Sequence, residues 1–432
     1  MKKYESNWES INSRPVPQWF QDAKFGIFIH WGLYSVPAYC IRGDYSEWYQ
    51  YALEGHNEKT MKTKEFHERV YGKDFKYQDF VKDFKAELFN ANEWAELFQK
   101  SGAKYINLVS KHHDGFCMYK TDFAWNWNSY DVGPHRDFCA ELKTALEKTD
   151  VRFGLYHSVY EWYNPLYLKN PEEYALKHFI PMMKELVEKY QPWTIFTDGE
   201  WDQTADVWHS TEFLKWLYNE SSVKDFVVPN DRWGKNTRGK HGGNLTTEYG
   251  LGGFGPEEKE LVMIDRYAEE CRGIGASFGF NRIENPDDYL SPKELIWLLV
   301  DLVSNNSNLL LNIGPAADGT IPVIMQERLL AMGKWLSVNG DAIYSSRRYK
   351  KSSQENVRYT QKDGKVFAFI NHFPYGEIVL EDIEYKNANN ATLLGSDAKI
   401  TVADENGKLK LVFPCINPDN IESKDVFTVE IS

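Results

Sequence analysis

Between about residues 24 and 344 the chain alternates short, apolar, β-rich runs with longer stretches of helical period, and this alternation restricts the fold more than any other feature. The runs at 25–30, 105–110, 152–157, 194–198, 226–229, 276–280 and 308–313 have strand length and no polar face, as strands of a parallel sheet covered on both sides require. Helical period is carried by 92–101, 137–148, 171–190, 206–218, 292–303 and 325–337. A doubly wound sheet usually has a glycine-rich turn after its first strand, whereas His30-Trp31-Gly32 stands there. The expected fold is therefore α/β, a (β/α)8-like TIM barrel, with its active site at the C-terminal ends of the strands.

After Asn339-Gly340-Asp341 the texture changes to short alternating runs at 366–370, 377–380, 391–394, 409–413 and 427–431. They are separated by Lys362-Asp363-Gly364, Glu405-Asn406-Gly407 and the Asn-Ala-Asn-Asn sequence at 387–390, all turn formers. This predicts an antiparallel β-sandwich, dividing the chain into a barrel domain at 1–343 and a sandwich domain at 344–432.

The residues just past each barrel run are the candidates for chemistry. They include His30, Lys111-His112-His113-Asp114, Tyr156-His157, Asp198-Gly199-Glu200-Trp201 and Asp231-Arg232-Trp233. Four of the 11 histidines fall at such positions, a convergence that packing alone does not explain. A zinc site would need three or four converging ligands, and the sequence has no H-x-H, no H-E-x-x-H and no cysteine cluster among its five Cys. A polyhydroxylated substrate held by imidazole, carboxylate and indole groups fits better, because 15% of the chain is aromatic, with 15 Trp, 26 Tyr and 25 Phe. The net charge of −13 speaks against a nucleic-acid or anionic membrane partner, which would need a basic surface. No apolar h-region follows the N-terminal Met-Lys-Lys, and no run approaches the ~18 apolar residues of a membrane span, so the chain as given reads as cytoplasmic. A trimmed signal peptide would make it periplasmic, secreted or lysosomal.

Cleaving a glycosidic bond takes one ionised and one protonated carboxyl. Asp198 suits the ionised role, since it ends an apolar strand and Gly199 leaves room for close approach. Glu161, Glu200, Glu248, Glu269 and Glu270 are candidate acids. Glu269 and Glu270 sit in a charge-dense stretch, 265–272, that reads as a solvated helix face, while Glu248 follows a Gly242-Gly243 loop that could swing over a barrel mouth.

The ordered motifs resemble glycoside hydrolase family 29, the α-L-fucosidases, and especially the relaxed-specificity branch that includes the animal tissue enzymes. The resemblance runs almost end to end. It rests on Arg14-Pro-Val-Pro-Gln-Trp-Phe20, Ala23-Lys-Phe-Gly-Ile-Phe-Ile-His-Trp-Gly32, Lys111-His-His-Asp-Gly-Phe116, Trp125-Asn-Trp-Asn-Ser129, Asp131-Val-Gly-Pro-His-Arg-Asp137, Asp198-Gly-Glu-Trp201, Asn230-Asp-Arg-Trp-Gly234 and Asn308-Leu-Leu-Leu-Asn-Ile-Gly-Pro315. It implies a barrel with a C-terminal β-sandwich and an exo-acting, retaining enzyme that releases terminal α-L-fucose with no metal or organic cofactor. Asp198 is then the nucleophile and Glu248 the acid/base. The sugar contacts implied are His30, Glu47, Trp48, His112, His113, Tyr156, Arg232 and Phe278, with His157 a further candidate because many relatives have Tyr-Tyr where this chain has Tyr156-His157. The family also implies a possible homo-oligomer. Aglycone preference would lie in loops such as 55–76. The rival readings are a fucose-binding barrel without turnover, a strict-linkage fucosidase inactive on simple aryl fucosides, and a hydrolase using a histidine-bound metal.

Overall fold

The computed structural model describes residues 3–250, 267–384 and 390–432. Eight parallel strands form one curled sheet: β1 (Phe25–Ile29), β2 (Tyr105–Lys111), β3 (Arg152–Ser158), β4 (Thr194–Asp198), β5 (Val228–Pro229), β6 (Leu245–Glu248), β7 (Ala268–Gly273) and β8 (Ser307–Ile313). Their order is β5-β4-β3-β2-β1-β8-β7-β6, the cyclic order of a barrel opened between β5 and β6. Two backbone bonds cross that opening, from Gly243 N–H to the Asn230 carbonyl (3.2 Å) and from Asn244 N–H to the Pro229 carbonyl (2.9 Å). A Cβ on Gly243 would stand 2.1 Å from the Pro229 oxygen, so this seam admits only glycine. The Gly242-Gly243 pair therefore joins the barrel wall instead of forming a loop that swings over the mouth.

Two strand expectations are corrected. The run at 276–280 is not a strand, and β7 lies earlier, in the stretch read as a solvated helix face, of which Asp265 and Arg266 lie outside the described residues. The charges of β7 are not solvated, for Glu269 and Glu270 are both buried. Residues 245–248, read as loop, are β6.

Side chains alternate across each strand, and here both faces are apolar. Phe28, Val109, Tyr156, Phe196, Val228, Cys271 and Leu310 meet in the barrel interior. Their strand neighbours Ile27, Ile29, Leu108, Leu155, Ile195, Leu309 and Leu311 pack outward against the helices. Those helices start where side chains can accept their first N–H groups: Asn90 caps Ala91–Lys100, Asp137 caps Phe138–Leu146, and Ser291 with Glu294 forms a capping box on Pro292–Ser304. Much of the aromatic content is outer core, as where Trp31 packs among Phe84, Phe89, Trp94 and Phe138.

The remaining strands, β9 (Arg347–Gln354), β10 (Val357–Lys362), β11 (Lys365–Ile370), β12 (Glu377–Glu384), β13 (Ala391–Leu393), β14 (Thr401–Glu405), β15 (Lys408–Val412) and β16 (Phe427–Ile431), form an antiparallel five-stranded and a three-stranded sheet. The Asn-Ala-Asn-Asn turn falls, but for Asn390, outside the described residues. β11 shows how the sandwich is seated: Ala368 and Ile370 enter its own core, while Phe367 and Phe369 join the barrel's outer core. Trp335, on the helix Val323–Ile343, donates its indole N–H to the Val426 carbonyl (2.8 Å). Among the described residues no helix is long and apolar enough to cross a membrane.

Candidate active site

Residues two positions beyond an inward-facing residue also face inward, one layer nearer the C-terminal mouth. Phe28 thus leads to His30, Phe196 to Asp198, and Leu310 to Asn312. The parity separates Tyr156 from His157. Tyr156 points inward and donates its hydroxyl to Asp198 Oδ2 (3.0 Å). His157 points outward, where its Nδ1 meets Ser110 Oγ (2.9 Å) and its ring lies 6.1 Å from that of Phe179. The structure does not bring His157 to the mouth, so its place as a sugar contact is corrected.

The register of β2 against β3 shifts between Val109 and Lys111. This bulge sends Lys111 outward and turns the next residues toward the mouth. His112 stacks on Tyr156, with ring centroids 5.6 Å apart at 10°, and His113 lies 4.2 Å from His112.

Arg232 organises the charges. It is buried, donates Nη1–H to Asp198 Oδ1 (2.6 Å), Nη2–H to Glu248 Oε2 (3.3 Å) and Nε–H to Thr246 Oγ1 (3.1 Å), and lies 4.7 Å over the Phe196 ring. One guanidinium therefore holds two carboxylates from separate strands. Burial alone would raise the Asp198 carboxyl, but Arg232 above all, with His113 and Arg238, carries it well below the usual carboxylate range. Gly199 follows with φ of 75°, and a Cβ there would stand 2.4 Å from Tyr160 Cβ, so the turn after Asp198 requires glycine.

The histidines are neutral and their tautomers follow from the hydrogen bonds. Asn312 Nδ2 donates to the Phe278 carbonyl (2.6 Å), which leaves its Oδ1 facing His30 Nδ1 (2.6 Å); that nitrogen carries the proton and Nε2 is an acceptor. Ser158 spends its hydroxyl hydrogen on the Tyr160 carbonyl (2.7 Å), so His113 Nδ1–H donates to Ser158 Oγ (2.6 Å) and its Nε2 is likewise an acceptor. That Nε2 stands 3.8 Å from Asp198 Oδ2. Burial pushes His30 down to about 3 and His113 to about 4, and holds His112 well below its ordinary value.

Glu47 is buried and accepts the Gly279 N–H (2.8 Å); burial first, then the charge of Glu248, pushes its carboxyl up to about 8. Trp48 lies 5.3 Å from His113 and 5.2 Å from Trp162. Phe278 packs 5.0 Å from His30 and 5.5 Å from Tyr45. The mouth therefore gathers His30, Glu47, Trp48, His112, His113, Tyr156, Asp198, Arg232, Glu248 and Phe278.

The other candidate acids are committed elsewhere. Glu161 accepts from Lys111 (2.5 Å), Tyr174 (2.9 Å) and His178 (3.0 Å) outside the barrel. Glu269 accepts from Tyr105, the first residue of β2, near the opposite end of the barrel (2.5 Å). Glu270 is buried on the other face of β7 from Glu269, near Arg272 (3.7 Å). Glu200 accepts from Arg238 Nε (2.7 Å), and Arg238 Nη2 also reaches Asp198 Oδ1 (3.2 Å). Arg238 is the participant that sequence reasoning missed; it lies in a polar, glycine-bearing stretch with no motif to single it out. Among the described residues no three His, Cys, Asp or Glu side chains converge as metal ligands.

Comparison with known proteins gives the same direction. The α-L-fucosidase family model matches residues 1–341, and the model of the α-L-fucosidase C-terminal domain matches 350–432. The human tissue α-L-fucosidase is 42% identical over 444 residues, covering 100% of this chain and 92% of that protein. A Dictyostelium discoideum α-L-fucosidase is 43% identical over 406 residues, covering 91% and 86%. The crystal structure of Thermotoga maritima α-fucosidase in complex with fucose superposes with a TM-score of 0.84 at 33% identity, covering 100% of both chains. With both family models and relatives of this identity spanning nearly the whole length, the chain belongs to the α-L-fucosidase family.

Proposed function

We propose that this protein is an exo-acting, retaining α-L-fucosidase in which Asp198 is the nucleophile and Glu248 the acid/base, hydrolysing terminal α-L-fucosyl groups of glycans and glycoconjugates. The observation that carries the assignment is the single buried guanidinium of Arg232 bonded to both carboxylates. Two carboxyls on one guanidinium are held close, which favours the roughly 5–5.5 Å spacing of retaining enzymes over the wider inverting arrangement.

In the first step Asp198 attacks the anomeric carbon while Glu248 gives its proton to the departing oxygen, leaving a fucosyl ester on Asp198. In the second, the Glu248 carboxylate takes a proton from water, the hydroxide attacks the anomeric carbon, and Asp198 leaves as the free carboxylate. Asp198 Oδ2 has the lighter hydrogen-bond load, since among the described residues only Tyr156 donates to it while Arg232 and Arg238 load Oδ1, so Oδ2 is the attacking atom. Glu248 can reach both leaving group and water, for it is the more open carboxyl, 31% exposed against 13% for Asp198.

The mouth offers acceptors at His30 Nε2 and His113 Nε2 and a protonated carboxyl at Glu47, a set that reads hydroxyl groups in fixed directions. Phe278 and its aromatic neighbours give an apolar wall for the C6 methyl of fucose. We place the boundary between catalytic and sandwich units at 343/344, where the helix Val323–Ile343 ends. All five cysteines are free thiols, which suits a cytoplasmic setting.

Release of nitrophenol from 4-nitrophenyl α-L-fucoside tests the reading. Wild type turns over and Asp198→Ala is silent. Glu248→Ala regains turnover with added azide, giving a product of retained configuration. Wild-type inactivity on aryl and natural fucosides alike, or a fully active Glu248→Ala, would overturn it.

A further inference from the structure

The Trp125-Asn126-Trp127-Asn128-Ser129 motif takes no part in the catalytic mouth, yet it builds one side of a separate groove of about 510 Å3, within the size range of small-molecule sites. Trp127, Phe123 and Trp125 line it from the β2 loop, Tyr163 and Glu161 from the β3 loop, and Gln50 from the short helix after β1. Three of these rings are offered to solvent: Trp125 is 77% exposed, Tyr163 41% and Phe123 39%. Trp125 is presented by an ordered loop, in which Asn128 Nδ2 donates to the carbonyls of Thr121 (3.2 Å) and Ala124 (3.0 Å) while Asp131 accepts from Asn126 N–H (3.1 Å).

A second observation points to a ligand. Gln50 is only 6% exposed, lines both this groove and an adjoining hollow of about 300 Å3, and its Oε1 has no hydrogen-bond partner among the described residues. A buried amide oxygen without a donor is unfavourable in the empty protein and is satisfied by a ligand O–H or N–H. Stacking rings beside such an acceptor are the chemistry that takes sugars. The groove's carboxylates, Asp114, Asp122 and Glu161, favour a neutral chain over an anionic one.

The groove also adjoins the catalytic mouth. Trp162 lies between its lining residues Glu161 and Tyr163 in sequence, and its own ring turns the other way, 5.3 Å from His113 and 5.2 Å from Trp48. The backbone N–H of Trp162 donates to the His113 carbonyl (3.0 Å). We propose that this groove is a second carbohydrate site that holds a remote part of a neutral oligosaccharide while its terminal fucose occupies the mouth. This rests on the fucosidase reading for the orientation of the chain, and the test separates the two.

The probe is a neutral, fucose-free tetrasaccharide of alternating galactose and N-acetylglucosamine, titrated by calorimetry into protein whose mouth is saturated with L-fucose. The groove predicts binding by wild type, weakened tenfold or more in both Trp125→Ala and Gln50→Leu. 4-Nitrophenyl α-L-fucoside, which has no chain to reach the groove, should be hydrolysed equally by wild type and Trp125→Ala. Absence of tetrasaccharide binding by wild type, or undiminished binding by Trp125→Ala, overturns the proposal. Wild-type inactivity on the aryl fucoside strikes the catalytic reading alone, and the tetrasaccharide titration still decides the groove.

Discussion

The two ends of the barrel treat buried charge in opposite ways. At the mouth, Asp198 keeps its charge despite burial because Arg232 stands 2.6 Å away, with Arg238 behind it. At the floor, Glu269 is more deeply buried, among the described residues only the Tyr105 hydroxyl donates to its carboxyl, and burial pushes that carboxyl up to about 7. Lys24, just before β1, is buried against the hydroxyl of Tyr267 and pushed down to about 7, again by burial first. The same interior thus shifts an acid and a base toward their neutral forms at one end and holds an ion pair at the other. An ionised carboxylate survives in a barrel core only where the fold supplies a guanidinium, and this fold supplies it where the strands end.

The largest effect expected is on turnover at the mouth: Asp198→Ala should lower kcat on an aryl fucoside by about 10^4–10^6-fold, as loss of a nucleophile does. Glu269→Gln, which replaces the buried carboxyl at the floor by an amide, should leave kcat near wild type. Equal losses would break the distinction between the ends.

Arg232→Met should come next, since it strands Asp198 without its main partner. Breaking such a buried pair costs about 3–5 kcal/mol, readable by urea denaturation at neutral pH. The depressed Asp198 carboxyl contributes stability present above its unfolded value of 3.8 and lost as pH falls below it, so the gap between Arg232→Met and wild type should narrow in acid. Arg232→Lys should shift the acid limb of the kcat/KM profile upward, because a point charge replaces the two-pronged donor.

The floor has the opposite sign. Glu269 binds its proton more tightly folded than unfolded, so its stabilising effect is complete below 4.5 and is lost as pH rises through about 7. Glu269→Gln should therefore gain stability over wild type at pH 8, on the order of 3 kcal/mol, and show little gain at pH 4.5. Denaturation at the two pH values checks this.

The smallest effect sharpens the comparison on a single strand. Tyr156→Phe removes the donor on Asp198 Oδ2 and should lower kcat/KM about 10- to 100-fold, the worth of a hydrogen bond to a charged group. His157→Gln, one residue away on the outer face, should leave KM unchanged.

Much of this is legible in the sequence, and the exceptions have physical causes. The strands ending at His30 and Asp198 are apolar runs with polar residues only at their tips, which marks those two, whereas Glu47, Trp48, Glu248 and Phe278 are picked out only by the family resemblance. Tyr156 and His157 could not be told apart because β3 is buried on both faces and carries no polar alternation. β7 escapes the sequence because Glu269, Glu270 and Arg272 look like a solvated surface, when the barrel hides Glu269 in its interior and burial pushes its carboxyl up to about 7. β6 escaped notice because four residues, two of them threonine, form a strand only through their neighbours. Arg238 was invisible because its partners, Asp198 and Glu200, lie about 40 residues earlier.

The central claim, that Asp198 is the carboxylate kept ionised for attack, is tested most directly by trapping the intermediate. Protein inactivated with 2-deoxy-2-fluoro-fucosyl fluoride, digested and mapped by mass spectrometry, should carry one fluorofucosyl group on the peptide holding Asp198. A label on the peptide holding Glu248, or hydrolysis of the reagent with inversion and no label, would contradict the account.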